Sequence, residues 1–166
     1  METVKISGVA NNRDEAQLTI IGVADEPGVA ARILQGVTDE NIEVDMIVQN
    51  VSEENKLASF TFTVHRRDYR KCLGILKGLA EKMNAKVVGN DRIVKVSVVG
   101  VGMRSHAGIA ARMFSALAER DINIHMISTS EIKISVVIDE DKLESAVRSL
   151  HHAFKLDKKD FLVCSD

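Results

Sequence analysis

One stretch of this chain occurs twice, and the duplication constrains its fold more than any other property of the sequence. Gly28-Val29-Ala30-Ala31-Arg32-Ile33 returns as Gly108-Ile109-Ala110-Ala111-Arg112-Met113, 80 residues later. Asn41-Ile42-Glu43-Val44-Asp45-Met46-Ile47 keeps that offset against Asp121-Ile122-Asn123-Ile124-His125-Met126-Ile127. A repeat of this length is a duplicated small domain, not a solenoid unit. Modules of about 75 residues bury proportionately little surface, so packing against each other or against a second chain is expected.

The first module reads as follows. Gln17–Ala24 is an apolar strand, Asp25-Glu26-Pro27-Gly28 a turn, and Val29, Ile33 and Val37 the buried face of a helix, with Pro27 suited to its first turn. Asn41-Ile42 opens a second strand, with Val44, Met46 and Val48 on one face and Asp45, Ile47 and Gln49 on the other. Ala58, Phe60, Phe62 and Val64 alternate with Ser59, Thr61 and Thr63 in a third. Asp68 is placed to cap a second helix with Tyr69, Leu73, Leu76, Leu79 and Ala80 inward, and Ala85–Val88 forms a fourth strand. The order is βαββαβ, an antiparallel sheet with helices on one face.

The second module repeats this with strand Ile93–Val101, helix Gly108–Glu119, strands Ile122–Ser128 and Ile132–Ile138, and helix Asp141–Phe154, but it stops one strand short. The alternating segment Thr3–Val9 supplies a strand the first module does not need. The expected fold is therefore α+β, two ferredoxin-like modules with the first inserted in the second. Residues 17–90 form one module, 91–156 with strand 3–9 the other, and 157–166 a tail.

Composition excludes several classes. A net charge of −2, a pI near 6.2 and 4% aromatics provide neither a basic footprint nor stacking platforms for nucleic acid. No apolar run reaches membrane-spanning length, and no signal-peptide pattern opens the chain. Cys72 and Cys164 have no metal or redox spacing and read as reduced thiols of a cytoplasmic protein. His151 and His152 are adjacent, and His65 and His125 lack spaced ligand partners, so neither a metal nor another cofactor is expected.

A glycine turn opening a helix presents unpaired backbone N–H groups with the positive end of the helix dipole behind them, a site suited to a carboxylate. Gly28 and Gly108 would allow close approach, and Asp25 could accept an ammonium. A free amino acid carries both groups. A glycine between strand and helix is also often only a turn.

The pattern Gly22-Val23-x-Asp25-x-Pro27-Gly28-Val29-Ala30 resembles the ligand loop of ACT domains, which bind amino acids. Val44–Ser52, Ser97–Phe114 and Ile122–Ile138 are similar to the regulatory region of aspartate kinases, across residues 3–156. The phosphate loop of a kinase domain is missing, so the chain resembles a regulatory β subunit that catalyses nothing itself.

The resemblance implies a threonine-type site that joins the first loop of one module to the second strand of the other. It is carried by Asp25, Pro27, Gly28, Val29, Ala30 and Gln49 with Asn123, Ile124 and Ser130. Gln49 would offer a hydrogen bond to a hydroxyl, and Ala30 would limit bulk. A second, lysine-type site would pair Met103, Arg104, Ser105, His106, Ala107, Gly108 and Ile109 with Val44, Asp45 and Met46. Asp45 could meet a lysine ammonium or be a solvated strand residue. The implied function is feedback inhibition by threonine and lysine, as a homodimer through the ACT modules with a catalytic aspartate kinase subunit as partner. Alternatives are a stand-alone amino-acid sensor acting on another enzyme or a transcription regulator, or a ferredoxin-like enzyme or RNA-binding module.

Overall fold

The computed structural model describes residues 5–102 and 107–156 and divides into two compact units. The first module, residues 14–93, contains β2 (Glu15–Ala24), α1 (Val29–Thr38), β3 (Val44–Val51), β4 (Leu57–His65), α2 (Tyr69–Met83) and β5 (Lys86–Asn90). Its antiparallel sheet has the order β3-β4-β2-β5. The second module contains β1 (Lys5–Asn12), β6 (Ile93–Val101), α3 (Ala107–Ala118), β7 (Met126–Thr129), β8 (Lys133–Asp139) and α4 (Leu143–Ala153), in the order β1-β6-β8-β7.

The strand order is the same in both, once β1 is read as the closing strand of the second sheet. β1 runs antiparallel to β6 from Lys5 opposite Val101 to Asn12 opposite Lys95, with a register shift between Ile6 and Gly8. Ile6 and Val9 pack against the core formed by Val94, Val96, Val98, Met113, Leu117 and Leu150. The first module is thus inserted between the two parts of the second. Thr3, Val4 and the tail 157–166 lie outside the described residues.

The first core follows the apolar patterning. Ala58, Phe60, Phe62 and Val64 of β4 meet Val29, Ile33 and Val37 of α1. On α2 the fully buried positions are Cys72, Leu76 and Ala80, with Tyr69, Leu73 and Leu79 at their margins. Cys72 therefore sits nearer the centre of the helix face than Tyr69, which the apolar pattern favoured. Burial, then the nearby Asp68, pushes its thiol up to about 12.

Three local expectations are corrected. Asp68 does not cap α2 with its side chain, because residues 66–68 form a 3-10 turn leading into the helix. Asn41-Ile42 and Ile122 do not open strands: Asn41 and Asp121 are left-handed, with φ of 58° and 55°, and their amides bond back to Thr38 and Ala118 as α1 and α3 end. The strands start later, at Val44 and Met126. Finally, β3 does not alternate as a flat strand. A register shift between Val44 and Ile47 puts Ile47 opposite Phe62 and Gln49 opposite Phe60, so both lie on the helix-bearing face with Val44, while Val48, opposite Thr61, lies on the other.

Gly100 shows why β1 can lie so close. A Cβ there would be 2.7 Å from the Lys5 carbonyl oxygen. Gly100→Ala is expected to lower stability by about 1–3 kcal/mol through this overpacking. An unchanged urea midpoint would contradict the β1–β6 pairing. Cys72 generates a pH prediction of defined sign. Burial pushes its folded-state thiol up to about 12 from the ordinary 9.0, so its contribution is complete below pH 9 and is lost as pH rises toward 12. The stability advantage of the native chain over Cys72→Ala is expected to shrink across that interval in denaturant titrations, and a constant difference would contradict the shift.

Candidate functional site

The turn after β2 builds the first candidate site. The Glu26 amide donates to the Ala24 carbonyl at 3.0 Å, and the Val29 amide donates to the Glu26 carbonyl at 3.3 Å. Gly28 occupies the N-cap of α1 with φ 90° and ψ −12°, and no side chain caps this end. No atom lies within 4 Å of where its Cβ would be, so glycine is needed for the backbone conformation rather than for want of space. The first turn of α1 has no acidic residue, and the first intrahelical bond runs from the Arg32 amide to the Gly28 carbonyl. The Ala30 and Ala31 amides precede that bond, at the positive end of the helix. Asp25, Pro27 and Gly28 are exposed, Ala30 is half-buried, and the Val29 side chain belongs to the core.

Gln49 belongs to the same end of the module. β2 and β3 are both antiparallel to β4, so their C-terminal ends and the turn at 25–28 share one end of the sheet. Gln49 is exposed there and, through its register with Phe60, lies on the face that carries α1. Val44, Asp45 and Met46 lie at the opposite end of β3, half-buried, exposed and buried respectively. Ile47, which sequence reasoning did not select, is 51% exposed on the face that carries the helices. Its signal was available in the repeat, since Ile127 of β7 is exposed at the matching position.

In the second module Asn123 is exposed and Ile124 half-buried against the core, both in the segment entering β7. Ser130 lies in the turn between β7 and β8. Its Oγ accepts from the Lys133 amide at 3.2 Å and the Ile132 amide at 3.4 Å, while its own amide donates to the Lys133 carbonyl. This hydroxyl therefore already organises a hairpin turn. Met103, Arg104, Ser105 and His106 lie outside the described residues. Ala107 and Gly108 begin α3, exposed, and Ile109 packs partly on the core. Gly108 is not the conformational counterpart of Gly28, because it sits inside the helix rather than at a left-handed cap.

These two modules, with the Gly28 turn of the first, define a tandem ACT-domain protein. Residues 17–81 and 96–154 each match a model of the ACT domain. Over 158 residues the sequence is 62% identical to an aspartate kinase of Stutzerimonas stutzeri, covering 95% of this chain and 38% of that protein. The crystal structure of aspartokinase alpha and beta subunits matches with TM-score 0.84 and 50% identity, over 91% of this chain and 99% of that one. The ligand-free regulatory subunit of aspartate kinase from Thermus thermophilus matches with TM-score 0.84 and 38% identity, over 90% and 98% respectively.

The chain belongs to the aspartate kinase family and corresponds to its regulatory ACT region, whose role is allosteric. It spans about 38% of the length of the curated relatives it matches. Among the described residues no helix is long and apolar enough to cross a membrane.

The conformation of Gly28 yields a direct test. Gly28→Ala is expected to cost about 1–2 kcal/mol, because a side chain disfavours the left-handed region. Chemical denaturation would measure it, and an unchanged stability would mean that the turn relaxes into another conformation.

Proposed function

We propose that this chain senses the end products of the pathway that aspartate kinase opens, binding L-threonine and also L-lysine and thereby favouring the inhibited state of a catalytic aspartate kinase partner. The observation that carries the reading is the uncapped start of α1, with left-handed Gly28 and the Ala30 and Ala31 amides, at the same sheet end as Gln49. Amides at a helix start bind the α-carboxylate, Asp25 takes the ammonium, and Gln49 bonds the side-chain hydroxyl. Pro27, Val29 and Ala30 shape this turn. Asn123, Ile124 and Ser130 contribute from the second module. For lysine, the groups are Ala107, Gly108 and Ile109, with the preceding residues 103–106, together with Val44, Asp45 and Met46.

Binding inhibits only if the effector has higher affinity for the inhibited arrangement than for the active one. The similarity to a structure of aspartokinase alpha and beta subunits supports a catalytic chain as partner. Homodimerisation through the ACT modules completes the reading, and the exposed Ile47 and Ile127 on edge strands β3 and β7 support it.

Calorimetric titration tests the effectors. L-threonine is expected to bind saturably, and Gln49→Ala to weaken it about tenfold, the equivalent of one lost hydrogen bond. The analogue lacking the hydroxyl should lose affinity for the native chain and be little affected by the substitution. Absence of heat from both threonine and lysine, at two temperatures on folded protein, would refute the assignment of effectors.

A further inference from the structure

The segment that carries Asn123 and Ile124 is anchored immediately afterwards by His125. Its amide donates to the Val137 carbonyl at 2.8 Å, and its ring Nε2 lies 2.7 Å from Oδ1 of Asp139 at the end of β8. Asp139 begins a 3-10 turn, residues 140–142, a position where an aspartate ordinarily caps the following amides. Here its side chain makes no such cap and reaches to the imidazole instead.

The first module has the same device with acid and imidazole exchanged. His65 ends β4 and precedes the matching 3-10 turn, also without capping it, and its Nε2 lies 3.3 Å from Oε2 of Glu43. Glu43 directly precedes Val44 and Asp45. Each strand assigned to an effector site is thus tied, at its entrance, to the end of the neighbouring strand by an imidazole–carboxylate bridge. The strand-end members correspond, His65 to Asp139, whereas the entrance members do not, since Glu43 matches Asn123 and His125 matches Asp45; a bridge rebuilt from different entrance positions points to the tether itself, rather than to either residue type.

We propose that His125 and Asp139 are positioning residues for the threonine-type site: the bridge holds the Asn123–Ile124 backbone in its binding arrangement before the effector arrives. The inference rests on the functional reading above. An exposed ion pair contributes little to global stability. Fixing a short segment in advance removes an ordering cost from binding, so the effect belongs in affinity.

Threonine titrations of the native chain and of Asp139→Ala, Asp139→Asn, His125→Ala and the Asp139→Ala/His125→Ala double variant test this, with the unfolding midpoint of each measured alongside. Asp139→Ala and His125→Ala should each weaken threonine binding about fivefold, the cost of ordering a freed segment, and the double variant no further. Asp139→Asn, which keeps an acceptor for the ring N–H, should restore affinity to within about twofold of the native chain. Unfolding midpoints should change little across the series.

Native affinity in both alanine variants, with the native chain binding threonine, would overturn the positioning role and leave the functional reading intact. Additive losses in the double variant would show that the two residues act separately and would overturn it as well. A loss in Asp139→Asn equal to that in Asp139→Ala would do the same. A native chain that does not bind threonine would overturn both readings together.

Discussion

The pairing of β1 with β6 decides how this chain is built. β6 would otherwise be the edge of a three-stranded sheet, presenting a row of unpaired amides and carbonyls. Its missing neighbour comes from residues 5–12, which precede the entire first module in sequence. The second module therefore closes only when chain segments on both sides of the first are brought together, a pairing of high sequence separation that carries a loop-closure cost. The absence of a Cβ at Gly100 lets the Lys5 backbone approach, so a single position in β6 gates the contact on which the second sheet depends.

Duplication supplied two similar scaffolds, and the differences between them bear on the chemistry. Both modules retain the edge strand with an exposed isoleucine, the left-handed residue after the first helix, and the tether from the end of the third strand. They differ at the helix start. Gly28 makes a left-handed cap that leaves the first amides of α1 open, whereas Gly108 lies within α3. Two copies of one ancestral loop can diverge in this way without any change of fold, because the turn and strand entrance vary while the core is kept.

Much of this architecture was legible in the sequence because its signals are local or repeated. The alternation of Ala58, Phe60, Phe62 and Val64 specified β4, the spacing of Val29, Ile33 and Val37 specified the face of α1, and the repeat with its orphan N-terminal strand specified the insertion. What escaped was set by long-range pairing. The face of Gln49 depends on a register shift in β3 that only its alignment with β4 defines, since one extra residue exchanges the two faces. Asn41-Ile42 and Ile122 read as strand starts because each isoleucine begins an apolar run. Both isoleucines are buried, but as anchors in the link from helix to strand. The Ser130 hydroxyl is engaged by a turn that composition alone does not reveal. Of the candidate site, the residue types at the Gly28 turn were visible, and the partners that orient them were not.

The tethers bear on how an effector could alter a catalytic partner. A ligand changes an equilibrium only through a difference in affinity between two states, and a loosely held binding segment dissipates that difference by adapting to both. Anchoring His125 to Val137 through its backbone and to Asp139 through its ring couples the Asn123–Ile124 segment to β8, a strand whose central residues are fully buried. The segment then shifts only with the strand that holds it. Under that constraint, binding free energy gained at the segment is sensitive to the placement of a rigid body rather than absorbed by a flexible loop, which is what a small module needs if it is to convert occupancy by one amino acid into a change of state elsewhere.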